Sequence, residues 1–184
     1  MDGASPLPPP PLPGRGAPSN HVPSRFGLAE READGDWIDE REAIDGSLPP
    51  LRTQVTVERP RTIITRNSSP DIGFDRSINA YRGCEHGCVY CYARPTHAFL
   101  DLSPGLDFET RLFAKPDAAK LLRAELARPG YAAAPLAIGT NTDGYQPGER
   151  EWRITREVIE VLAETRHPLI ITTKSDRLLR DIDL

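Results

Sequence analysis

Three times between residues 76 and 184 a short apolar run ends in small and polar residues and is succeeded by a helical pattern. The runs are "RSINAYRGC", "PLAIGTNTD" and "PLIITTKS"; the helical stretches are "PDAAKLLRAELAR", "EWRITREVIEVLAETR" and "DRLLRDIDL". Pro116 and Asp117 mark a helix start, and Leu121, Leu122 and Leu126 fall on one face, as do Ile154, Val158, Val161 and Leu162 in the next. Strand alternating with helix predicts an α/β domain of βαβ units on a parallel sheet. Parallel sheets are covered on both faces or closed into barrels, with chemistry at the carboxyl ends of the strands. Those ends carry Asn79 and Arg82, then Thr140, Asn141, Thr142 and Asp143, then Thr172, Thr173, Lys174 and Ser175.

Ahead of these units, "QVTVE" and "RTIIT" read as short β-branched strands, and "DFETRLFAK" as a further extended segment. A chain of 184 residues, 38% hydrophobic, buries one ordinary core. The expected division is a Pro-rich and acidic tail over 1–50, a lead-in over 51–75 and the main domain over 76–184. The first 23 residues hold eight prolines, including "PLPPPPLP", which favours polyproline II or disorder and cannot form the apolar core of a signal peptide. Residues 25–46 carry eight acids against three arginines, leaving residues 47–184 near neutral and without the basic footprint of a duplex-binding surface. No stretch approaches the roughly 18 apolar residues of a membrane helix, so the expected location is the cytoplasm, where thiols stay reduced.

All three cysteines, Cys84, Cys88 and Cys91, lie within eight positions of "NAYRGCEHGCVYCYARPTHAFL". An odd count at C-x3-C-x2-C spacing suits metal or cluster binding better than disulfides. One reading is a closed zinc site with His86 or His97 as fourth ligand. Another is unligated structural cysteines. The third is a four-iron cluster, which usually takes four cysteines and here would keep one iron open.

At this point the chain resembles the radical SAM superfamily, whose C-x3-C-x-φ-C signature, φ being aromatic, is matched by Cys84, Cys88, Tyr90 and Cys91. The wider stretch from "GRGAPSNHVPSRF" to the last residue resembles a DNA repair photolyase-like branch, distantly similar to spore photoproduct lyase. It departs from that branch at Ala80 and Gly144, where proline is usual.

The resemblance implies a (β/α) barrel, here partial and stopping inside the third βα unit, as in a truncated or fragmentary chain. It implies a 4Fe-4S cluster on Cys84, Cys88 and Cys91. S-adenosylmethionine would be cleaved reductively to a 5′-deoxyadenosyl radical, an electron would come from a flavodoxin or ferredoxin, and lesion-bearing DNA is the implied substrate class. Gly139, Thr140, Asn141 and Asp143 would meet the methionine end of the cofactor, Tyr90 its adenine, and Lys174 an anionic group. Read from residues alone, the alternatives are that 139–143 is a capped βα turn, Lys174 a solvent-facing helix-start residue, and the chain a non-enzymatic zinc or iron–sulfur interaction module.

Overall fold

The computed structural model describes residues 15–17 and 52–184. The acidic run, Trp37 and nearly all of the Pro-rich tail lie outside the described residues. Within them the chain is mixed α/β, with two mixed sheets and no closed barrel.

The larger sheet has the order β2-β3-β6-β7, from Ile64–Arg66, Arg76–Ile78, Leu136–Ile138 and Leu169–Ile171. Strands β3, β6 and β7 are parallel and β2 is antiparallel at one edge. Ile78, Ile138 and Ile171 stand level across the three parallel strands, so their carboxyl ends come out at one height. The smaller sheet has the order β1-β5-β4, from Gln54–Val57, Arg111–Ala114 and Tyr81–Arg82.

The helices of the parallel sheet are α2, Ala118–Leu126, after β5, and α4, Ile154–Glu164, after β6. Leu122, Val158, Val161 and Leu162 are buried against Ile78, Leu136 and Ile138. Each such side chain contributes about 1.5–3 kcal/mol on removal from water. Leu121 and Leu126 flank this core, as their helical spacing predicts.

Five sequence expectations change in detail. "RSINAYRGC" is two strands rather than one: the chain breaks at Asn79 and Ala80, whose carbonyls accept from the Lys115 side chain and backbone, and β4 joins the other sheet. The first half of "DFETRLFAK" is a helical turn, α1, Asp107–Thr110, because the Glu109 and Thr110 amides both bond the Leu106 carbonyl. The helix of "EWRITREVIEVLAETR" is interrupted at Arg153, φ 54°, leaving a short α3, Glu149–Trp152. The Glu149 carboxylate then accepts the Thr155 and Arg156 amides and caps α4. Finally, β7 is half exposed rather than buried, and the last helix is a 3-10 turn, Asp176–Asp181.

Candidate cysteine-loop site

Residues 79–80 join the two sheets, and the cysteine loop opens directly beyond β4, beside the carboxyl ends of β6 and β7. Cys84, Cys88 and Cys91 are free thiols. Cys84 is buried with Ala93 and Phe108, with Cys91 packed alongside, and its amide bonds the Phe108 carbonyl at 2.9 Å. Burial pushes the Cys84 thiol up to about 11, because a thiolate is poorly solvated there. Cys88 and Cys91 are half-buried, and their chain neighbours Val89, Tyr90 and Tyr92 are exposed. Among the described residues no group of three or more His, Cys, Asp or Glu side chains is gathered closely enough to hold a metal ion.

The turn after β6 holds the start of this loop. Thr142 donates to the Gly83 carbonyl at 2.6 Å, and the fully buried Gln146 donates to the same carbonyl while accepting the Glu85 amide at 3.1 Å. Asn79 bridges the ends of β3 and β6: its amide donates to Thr140 at 3.0 Å and its oxygen accepts the Asn141 amide at 2.9 Å.

Asp143 reaches in two directions. Its carboxylate accepts the Thr173 hydroxyl at 2.7 Å and the amides of Lys174 and Tyr145 at 2.8 Å each. His86 Nε2 stands 3.4 Å from the same carboxylate, an ion-pair separation rather than an aligned hydrogen bond. Burial alone would raise the Asp143 pKa, but His86 and the donors around it outweigh burial and hold it below the usual carboxylate value. Asp143 thus fastens the cysteine loop and the end of β7 to the turn after β6.

The remaining sequence-predicted residues fall around this junction. Lys174 Nζ lies 3.9 Å from the centre of the Tyr90 ring, a cation–π contact joining the cysteine loop to the end of β7. The Tyr92 hydroxyl donates to the Thr140 carbonyl. The Asn141 side chain is exposed. Gly139, φ 93°, makes its close backbone approach to the Thr172 carbonyl of the neighbouring strand end. Arg82 is engaged elsewhere, bidentate to Glu58 at 2.8 Å. His97 is fully buried, with Nε2 bonded to the Arg111 carbonyl and the ring against Phe108 and Phe113. Burial lowers its pKa.

Three residues that hold the loop were not singled out from sequence: Glu109, Arg94 and Gln146. Polar side chains in "DFETR", "CYARP" and "GYQP" look solvated in one dimension, and only the fold shows Glu109 and Gln146 fully buried.

No family model matches the chain, and no solved structure matches it. It is 46% identical over 111 residues to an uncharacterized protein of Mycobacterium tuberculosis and, with the same figures, to one of Mycobacterium bovis. These alignments cover 60% of this chain and 33% of each relative. An uncharacterized protein of Methanocaldococcus jannaschii is 30% identical over 107 residues, covering 58% of this chain and 38% of the relative. The aligned part of the chain therefore spans about a third of the length of the curated relatives it matches.

Proposed function

We propose that the chain carries the cluster- and cofactor-binding part of a radical SAM enzyme, similar to the DNA repair photolyase-like branch and built as the first units of a (β/α) barrel. The observation supporting this most directly is the convergence on one loop. The ends of β3, β6 and β7 are hydrogen-bonded to one another and to the segment that bears all three thiols.

In donor type and spacing along the chain Cys84, Cys88 and Cys91, three free thiols on one loop, suit a 4Fe-4S cluster, and holding one would require the loop to draw the three sulfurs closer together. When bound, such a cluster with an open iron supplies the coordination position and the electron for reductive cleavage of S-adenosylmethionine, the electron arriving from a flavodoxin or ferredoxin. The chain's own contribution is placement. Phe108 and Ala93 keep water from Cys84. Thr142 and Gln146 fix the backbone ahead of it, and Asp143 holds His86 and the end of β7 in register with the loop. Tyr90, with Lys174 over its ring, offers a flat aromatic face beside a cation, suited to an adenine and an anionic group. Gly139, Thr140 and Asn141 border the same rim, where the exposed Asn141 amide has donors and an acceptor for the methionine end.

Anaerobic reconstitution with ferrous iron and sulfide tests the reading. The expected outcome is about four irons per chain, lost when Cys84, Cys88 and Cys91 are all changed to alanine. Dithionite should then convert S-adenosylmethionine to 5′-deoxyadenosine and methionine, read by chromatography. Tight zinc retention without a cluster would replace this reading with a structural metal module. An intact cluster that leaves S-adenosylmethionine unchanged would sink the enzymatic assignment.

A further inference from the structure

The Glu109 side chain is fully buried in α1, and a carboxylate so placed destabilises the fold unless it is paired and hydrogen-bonded. Its partners come from two distant parts of the sequence. Oε2 accepts the Gly16 amide and Oε1 the Ala17 amide, each at 3.0 Å. The Arg94 guanidinium pairs with Oε1 from the other side. Arg94 carries the connection onward: Nε and one terminal nitrogen donate to the Cys88 carbonyl at 3.2 and 3.0 Å, and the other donates to the carbonyls of Pro104 and Gly105. A single buried carboxylate therefore links residues 16–17 to the backbone of a proposed cluster ligand.

The approach at Gly16 is closer than these bonds alone require. A Cβ there would stand 1.7 Å from the Gly87 carbonyl oxygen, and a Cβ on Gly87, φ 62°, would stand 3.0 Å from the Gly16 nitrogen. Two backbones meet with no room for a side chain between them. Arg15 anchors the same segment, donating to the Glu109 carbonyl and to the Thr53 hydroxyl at 3.0 Å each. Ala17 is buried. Gly87 lies between Cys84 and Cys88, so the segment presses on the arc whose curvature sets where those two sulfurs stand.

We propose that Arg15–Ala17 is a clasp over the cysteine loop, and that Glu109 and Arg94 are positioning residues that fix the backbone from Gly87 to Cys88. The consequence for ligation rests on the proposed function above; the clasp itself does not. Ordering a segment remote in sequence costs backbone entropy, and charge-assisted bonds to a desolvated carboxylate are strong enough to offset it. An N-terminal segment would in this way share in shaping a cofactor loop some seventy positions further on.

The test uses the full chain without metal. Iodoacetamide labelling of Cys84, Cys88 and Cys91, followed peptide by peptide by mass spectrometry, reads how often the loop opens. Gly16→Ala should raise the Cys88 rate about tenfold, equivalent to about 1.4 kcal/mol of lost closure, and Glu109→Gln at least as much. Gly16→Ala removes no charged or polar side chain and acts where its Cβ would meet the Gly87 carbonyl and, at 3.3 Å, the Arg94 guanidinium, so it reports even where Glu109→Gln folds poorly. Glu125→Gln is the control: Glu125 is a buried carboxylate that accepts the Ile63 and Ile64 amides outside the loop, and its loss should lower the urea midpoint while leaving the Cys88 rate unchanged. An unchanged Cys88 rate in Gly16→Ala, or an equal rise in Glu125→Gln, overturns the clasp. Failure to take up iron would sink the proposed function and leave the labelling result standing; normal iron uptake with unchanged labelling would sink the clasp alone.

Discussion

At Gly139 the chain leaves β6 with φ 93°, and a Cβ would stand 1.9 Å from the Thr172 carbonyl oxygen. Gly139→Ala therefore combines a backbone conformation unfavourable to an L-residue with a collision against backbone, which cannot rotate away. The expected loss is about 2–4 kcal/mol, read from urea unfolding. A loss under about 0.5 kcal/mol would mean that the end of β7 shifts freely to admit the methyl group. The sequence marks this glycine, because a Gly between an apolar run and polar residues signals close backbone approach. It does not identify what approaches, which depends on the register of β6 against β7. Asp143 has the same history: a carboxylate that can accept the nearby Tyr145 amide is visible in "TNTDGY", while its donors from Thr173 and Lys174 and its neighbour His86 arise from the packing of separate segments. Glu109 left no signal, since burial of a lone acid among polar neighbours is a property of the fold.

Among the elements, α2 and α4 were legible because each runs two turns or more with a periodic apolar face, whereas α1 and α3 are single turns set by local hydrogen bonds that hydrophobic periodicity does not register. The terminal 3-10 helix, Asp176–Asp181, packs Leu178 against the core and is held besides by charge. The buried Asp181 carboxylate accepts from Arg156 of α4 and from two nitrogens of Arg180, each at 2.7 Å. Arg180 also reaches the buried Glu149 carboxylate that caps α4. Burial would raise the Asp181 pKa, but the two guanidiniums more than compensate and bring it below 3.8. With the folded value depressed, its stabilisation is complete above the unfolded value of 3.8 and is lost as pH falls through the lower folded value. Asp181→Asn should therefore unfold at lower urea than the parent at neutral pH, and the gap should close in strong acid. A gap that stays constant with pH would show that the pairing does not hold this helix in place.

For the molecule as a whole, the two sheets meet at residues 79–80, so the cysteine loop lies where their constraints combine, and any change in one sheet reaches it through Asn79, Lys115 and the turn after β6. The larger sheet ends differently on its two sides. Strand β2 at one edge is antiparallel; β7 at the other is parallel, half exposed, and paired among the described residues with β6 alone. Within β7, Ile170 is 43% exposed. A parallel edge that none of the described residues pairs with, carrying an exposed isoleucine, offers unpaired backbone groups and apolar surface to the same neighbour, the combination that drives edge-to-edge association. The chain should therefore self-associate in a concentration-dependent manner, measured by sedimentation velocity, and Ile170→Lys should reduce that association by placing a charge at the edge while leaving the buried face of the strand intact. A parent chain that sediments as a monomer across the accessible concentration range would show that the β7 edge is protected, and equal association of Ile170→Lys would place the contact elsewhere.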